Sequence, residues 1–196
     1  MCQLWVDQSE STGPWVDIVA SGDIGDGWLP ILEAVDGDSN RVFLVHSDNP
    51  ALRSLAVFDV VINNTDRKGG HILTGGRVAD PPVLGAMEIP VEAAAMETSI
   101  SGGLAAIIGI DHGVCFNVEP KLRTVLWGWA GTDVTDTERA DLIRLLHELD
   151  GELGHALRQL LTVDEVVATT VRIQRLLEAG RMPEPVTPTP VPWPVF

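Results

Sequence analysis

The sequence predicts an α+β fold, and three observations carry the prediction. Short apolar runs separated by turn residues fill the first quarter. A helix-like stretch then runs into a strongly polar loop and a pair of strand-like segments. The last third holds three stretches with apolar residues at helical spacing. Strand pieces first and a helical bundle last is the order of an α+β domain.

The 196 residues suffice for one domain with a true core. Hydrophobic residues at 45% and charged residues at 21% are globular values. The net charge of −15 argues against a nucleic-acid partner and against a polybasic membrane anchor, because phosphate would be repelled by most of the surface. Cys2 and Cys115 fit neither a disulfide framework nor a zinc pattern. The N-terminus lacks the charge and apolar run of a signal peptide. The longest uninterrupted apolar segment, Leu104–Ile110, is seven residues, too short to span a bilayer. The expectation is a cytoplasmic protein with no membrane span.

Gln3–Val6 reads as a strand, Ser9–Gly27 as loop, and Trp28–Val35 as a short helix. Asp36–Asn40 is turn chemistry ahead of a strand at Arg41–Val45. Asp48-Asn49-Pro50 starts a helix, with a capping side chain followed by proline, and Leu52, Leu55, Ala56 and Val60 continue it at helical spacing. Asn63-Asn64 stops it. His71–Thr74 and Leu104–Ile110 read as strands, the second buried on both faces, with an inserted loop at 75–103 between them. Thr135 with Glu138 and Thr162 with Glu165 have capping-box spacing, and Gly180 followed by Pro183 ends the last helix. Residues 183–196 form a proline-rich tail, extended or disordered.

Two stretches carry chemistry. Asn63-Asn64-Thr65-Asp66-Arg67-Lys68-Gly69-Gly70-His71 sits between a helix and a strand, and Gly109-Ile110-Asp111-His112-Gly113 follows an apolar strand. A loop with an acid, basic residues and glycines, paired with a strand-ending Asp before a Gly, suits phosphoryl transfer. One carboxylate takes the hydroxyl proton, a cation steadies the moving phosphate, and a second carboxylate holds a metal.

Asp66-x-Lys68-x-x-His71 resembles the kinase catalytic loop D-x-K-x-x-N, with His where Asn is expected, and Asp111-His112-Gly113 stands where D-F-G stands. The Asp66-Arg67 start is closer to the phosphatidylinositol 3-/4-kinase branch. The blocks FDVVINNTDRKGGHIL, GIDHGVCF and KLRTVLWGWAG together resemble an actinobacterial family related to those kinases, over about residues 1–180. The resemblance implies a kinase-like C-terminal lobe, with the N-terminal lobe largely missing. Residues 1–47 would hold the hinge strand and the start of the lobe, and 48–182 the catalytic and metal loops. ATP and Mg2+ or Mn2+ are the implied cofactors, and the acceptor is a lipid, a protein or a small molecule. Carried over, Asp66 orients the acceptor hydroxyl, Lys68 contacts the γ-phosphate, Arg67 braces the loop, and His71 and Asp111 take the metal positions. Gln3 and Trp5 lie on the strand leading to the adenine-contacting hinge, so that Gln3, Trp5, Lys68 and Asp111 would bind the nucleotide.

Two features depart from that family. The chain has two lysines, Lys68 and Lys121, neither placed as the strand lysine of an N-lobe. Imidazole suits manganese or zinc better than magnesium, which leaves His71 free to orient a phosphate or Asp111 instead. Two other classes compete: an inactive fragment or pseudokinase-type binding module, and a hydrolase with His71, Asp111 and His112 around a metal and Asp66 as base. His46, His147 and His155 have no partner in sequence and read as surface or structural. Arg123 is a candidate for substrate phosphate, and Trp127 and Trp129 read as packing residues.

Overall fold

The computed structural model describes residues 14–75 and 106–196. The strand expected at Gln3–Val6, with Gln3 and Trp5, and nearly all of the 75–103 insertion lie outside them. The described chain is mixed α+β, with two small antiparallel sheets and four α-helices.

The first sheet has three strands, β1 (Val16–Ala20), β2 (Trp28–Val35) and β3 (Arg41–Ser47), in the order β1-β3-β2. Two sequence expectations are corrected here. Val16–Ala20, read as loop, is an edge strand paired from Val16 opposite His46 to Ala20 opposite Val42. Trp28–Val35, read as a short helix, pairs with β3 from Trp28 opposite Ser47 to Val35 opposite Arg41. Pro30 breaks helical patterning but is tolerated on an edge strand, and the register shifts between Pro30 and Leu32. The turn between β2 and β3 forms as expected: Asp36 Oδ1 accepts from the Asp38 and Asn40 amides at 2.9 and 2.8 Å.

α1 (Pro50–Ile62) opens on Asn49, whose Oδ1 accepts from the Ala51 amide at 2.9 Å, and closes on Asn63 in the left-handed region. It buries Leu52, Ala56, Val61 and Ile62, and also one acid, Asp59. A 3-10 turn at Gly69–His71 leads into β4 (Ile72–Gly75), which pairs with β5 (Ala106–Gly109) as a two-stranded ribbon. A ribbon has no second layer on both sides, so Ile107 and Ile108 are half-buried rather than enclosed on both faces as expected.

α2 (Asp136–Asp150), α3 (Glu152–Leu160) and α4 (Val163–Ala179) follow. Both expected capping boxes form, at Thr135/Glu138 and Thr162/Glu165, and Gly180 caps α4 at φ 64°. Leu44, Leu52, Val125, Leu126, Leu142 and Ile173 are among the buried residues that join sheet, α1 and bundle into one core. Trp127-Gly128-Trp129 is a 3-10 turn, and both tryptophans are buried, as expected of packing residues. Trp129 Nε1 donates to Asp48 Oδ1 at 3.0 Å. The proline-rich tail is extended and docked: the Thr124 amide and Trp127 Nε1 both donate to the Pro190 carbonyl, at 3.0 and 2.9 Å.

No helix among the described residues is long and apolar enough to cross a membrane.

Candidate functional site

The site is built around one buried cation. Arg67 leaves the loop after α1 and turns its guanidinium into the protein, where no part of it reaches solvent. Burying a charge this way is costly unless it is paired and fully hydrogen-bonded. Asp59, eight positions back in sequence in the last turn of α1, supplies the charge: Nε donates to Oδ2 at 2.8 Å and Nη2 to Oδ1 at 2.9 Å. Nη1 donates to the carbonyls of His71 at 3.2 Å and Ile110 at 2.9 Å. The remaining Nη2 proton goes to His112 Nε2 at 2.8 Å. All five N–H donors of the guanidinium are thus used. One side chain ties α1, the turn before β4 and the end of β5 together.

That approach explains a glycine. A Cβ on Gly109 would stand 2.8 Å from Leu55 Cδ1 and 3.1 Å from Arg67 Nη2, so a side chain there would displace the guanidinium.

Asn64 secures the other side. Its Nδ2 donates to Asp59 Oδ1 at 3.0 Å, and its Oδ1 accepts from the Asp66 amide at 3.0 Å. The loop backbone runs beside residues 123–125: the Arg67 amide donates to the Arg123 carbonyl, and the Val125 amide to the Arg67 carbonyl. Arg123 contributes its backbone here, and its side chain is exposed.

On this frame four predicted residues meet. Lys68 Nζ lies 3.4 Å from Asp66 Oδ2. His71 Nε2 lies 3.6 Å from Asp111 Oδ2, beyond hydrogen-bond reach. His71 Nδ1 is 2.8 Å from the Asp66 carbonyl, which can only accept, so Nδ1 carries a proton. Nε2 is left facing the Asp111 carboxylate. Asp111 sits in the left-handed region at φ 55° with its side chain 58% exposed, so its carboxylate is open to a ligand.

Asp111 and His71 are the two neighbouring side chains here that could hold a divalent ion. Among the described residues no three His, Cys, Asp or Glu side chains gather into a ready cage. His112 in particular, a ligand in the hydrolase alternative, gives its Nε2 to Arg67. Burial, then the neighbouring Arg67 charge, pushes the His112 pKa below its ordinary value, consistent with a neutral acceptor.

Asp59 and Asn64 escaped sequence reasoning as site residues, and His112, weighed there as a metal ligand, is instead a partner of Arg67. The signal for Asp59 was present: a lone acid in the apolar run Val57-Phe58-Asp59-Val60-Val61 must be paired if that face is buried. Asn64 looked like a helix stop, and its neighbour Asn63 is one. Arg67, expected to brace the loop, lies in the interior, with its guanidinium on Asp59, on the His71 and Ile110 carbonyls and on His112.

The chain is 39% identical over 204 aligned positions to Protein Rv2133c of Mycobacterium tuberculosis, an alignment that takes in all of this chain. It spans 64% of that protein's length. No family model matches the chain. No solved structure matches it.

Proposed function

We propose that this chain carries the catalytic lobe of an ATP-dependent phosphotransferase of the phosphatidylinositol 3-/4-kinase-related kind. The adjacency of Asp66 to Lys68, of His71 to Asp111 and of the His71 ring to the Asp66 carbonyl is the observation that carries the proposal. Under it, residues 48–182 form a kinase-like lobe acting in the cytoplasm on a nucleotide and a lipid, protein or small-molecule acceptor.

Each side chain then has a task. Asp66 takes the acceptor's hydroxyl proton as that oxygen bonds the γ-phosphorus and the bridging P–O bond breaks to release ADP. Lys68, 3.4 Å from Asp66, neutralises charge on the moving phosphoryl group. Asp111 and His71 would hold the Mg2+ or Mn2+ ion, which supplies electrostatic stabilisation of the phosphates. Arg67 touches none of the reacting atoms and positions those that do.

The test is calorimetry of the chain with ATP in magnesium and, separately, in manganese. Metal-dependent binding that disappears in Asp111→Asn is the expected result. Unchanged magnesium-dependent affinity in that variant overturns the metal assignment. A folded chain that binds no nucleotide in either metal supports the binding-module alternative.

A further inference from the structure

The proline-rich tail ends on the turn that carries Lys68 and His71. The Gly69 amide opens that 3-10 turn and has no acceptor within it, as the first N–H groups of any helical turn do not. The Val195 carbonyl accepts from it at 2.8 Å. The Phe196 ring lies over the same residue: a Cβ on Gly69 would stand 2.7 Å from Phe196 Cδ1 and 3.2 Å from Val16 Cβ. The φ of Gly69 lies outside the left-handed region, so the backbone itself does not demand glycine there. The room is taken by the ring. Upstream, the Pro190 carbonyl is fastened to Thr124 and Trp127, and Val191 and Val195 pack on the core.

The turn in question carries part of the site. Its first residue follows Lys68, its last is His71, and the His71 carbonyl accepts from the Ile110 amide at 2.9 Å. A clamp on Gly69 therefore acts on both halves of the constellation at once.

We infer that residues 190–196 are a positioning strap, whose docking on Gly69 sets the Lys68–His71 turn and with it the affinity of the site for metal–nucleotide. The consequence for nucleotide rests on the phosphotransferase reading; the control of the turn does not. Phe196 is a positioning residue, and release of the strap, by a partner or by substitution, weakens the site without touching Asp66 or Asp111.

The test uses the full chain with Phe196→Ala, Gly69→Ala and both together, read by amide hydrogen exchange and by titration with manganese–ATP. Phe196→Ala is expected to speed exchange about fivefold or more at Gly69, the equivalent of one hydrogen bond, and to carry the effect to the His71 and Ile110 amides. Gly69→Ala, which evicts the ring, should do the same, and the double variant should be no worse than either alone. Manganese–ATP affinity should fall about fivefold in parallel. Faster exchange confined to Gly69, or unchanged exchange there, overturns the strap. A chain that binds no manganese–ATP, as Asp111→Asn would then also fail to do, refutes the phosphotransferase reading, while exchange at His71 and Ile110 still decides the control of the turn. Faster exchange at all three amides with unchanged nucleotide affinity overturns the link to the site.

Discussion

Arg67 and Asp59 form a two-pronged ion pair in which neither side chain reaches solvent, with N–O distances of 2.8 and 2.9 Å. The pair lies between α1 and the loop that presents Asp66 and Lys68. The candidate site is therefore built outward from the core.

Breaking the pair leaves an uncompensated buried charge. Asp59→Asn and Arg67→Met should each lower the unfolding free energy by about 3–5 kcal/mol, and the double variant by less than the sum. Urea denaturation measures this. Single losses below about 1 kcal/mol would show that the frame does not depend on the pair.

His46 makes the fold acid-sensitive. Its Nδ1 donates to the Ser47 carbonyl and its Nε2 accepts from the Gly128 amide at 2.9 Å, so the folded ring is neutral. Burial pushes its pKa below the ordinary value of 6.5, against smaller opposing effects of the Ser47 carbonyl and Asp48. As pH falls through 6.5 the unfolded ring gains a proton that the folded ring refuses. The contribution of His46 is thus complete above that pH and declines below it, toward the lower folded value. Urea midpoints between about pH 7.5 and about pH 5 should fall, and His46→Gln, which keeps an acceptor for Gly128, should flatten the slope. His112 shifts in the same direction, so a residual slope is expected.

His71 should set the metal preference. With Nδ1 committed to the Asp66 carbonyl, Nε2 is the group that faces Asp111 and, under the phosphotransferase proposal, the ion it would hold. Imidazole favours manganese over magnesium, whereas an amide oxygen favours harder ions. His71→Asn should narrow the gap between manganese and magnesium in nucleotide titrations. A ratio that does not move would remove His71 from the ion.

Cys115 should be inert. Burial raises its thiol pKa to about 11, so little thiolate forms near neutrality. Alkylation by iodoacetamide, followed by peptide mass spectrometry, should find Cys115 modified slowly in the native protein and rapidly in urea. Fast native labelling would contradict this burial.

Local signals in the chain gave the caps and turns, and long-range contacts gave the strands. The helix starts at Asn49, Thr135 and Thr162 and the stops at Asn63 and Gly180 were legible, because a cap is written in residues one to four apart. The Asp36–Asn40 turn was legible for the same reason. β1 and β2 were not. Ser9–Gly27 is dominated by Ser, Gly and Asp, and Trp28–Val35 mixes Pro30 and Glu33 with apolar residues. What makes strands of both is β3, whose Leu44, Val45 and His46 are buried between them.

The site divides along the same line. Which side chains were present, in Asp66-Arg67-Lys68-x-x-His71 and Asp111-His112-Gly113, and that two loops carried them, was legible along the chain. Their meeting was decided by tertiary structure. Lys68 pairs with Asp66 locally, two positions apart, whereas His71 approaches Asp111 where Arg67 reaches back to Asp59 and forward to Ile110, contacts between residues eight and forty-three positions apart. The docked tail was settled in the same way. Proline supplies an extended chain but no partner, and Phe196 finds its place only where Gly69 leaves a gap. Local caps are energetically complete within one turn of chain, whereas a buried charge and a bare glycine acquire meaning only from atoms that the fold brings to them.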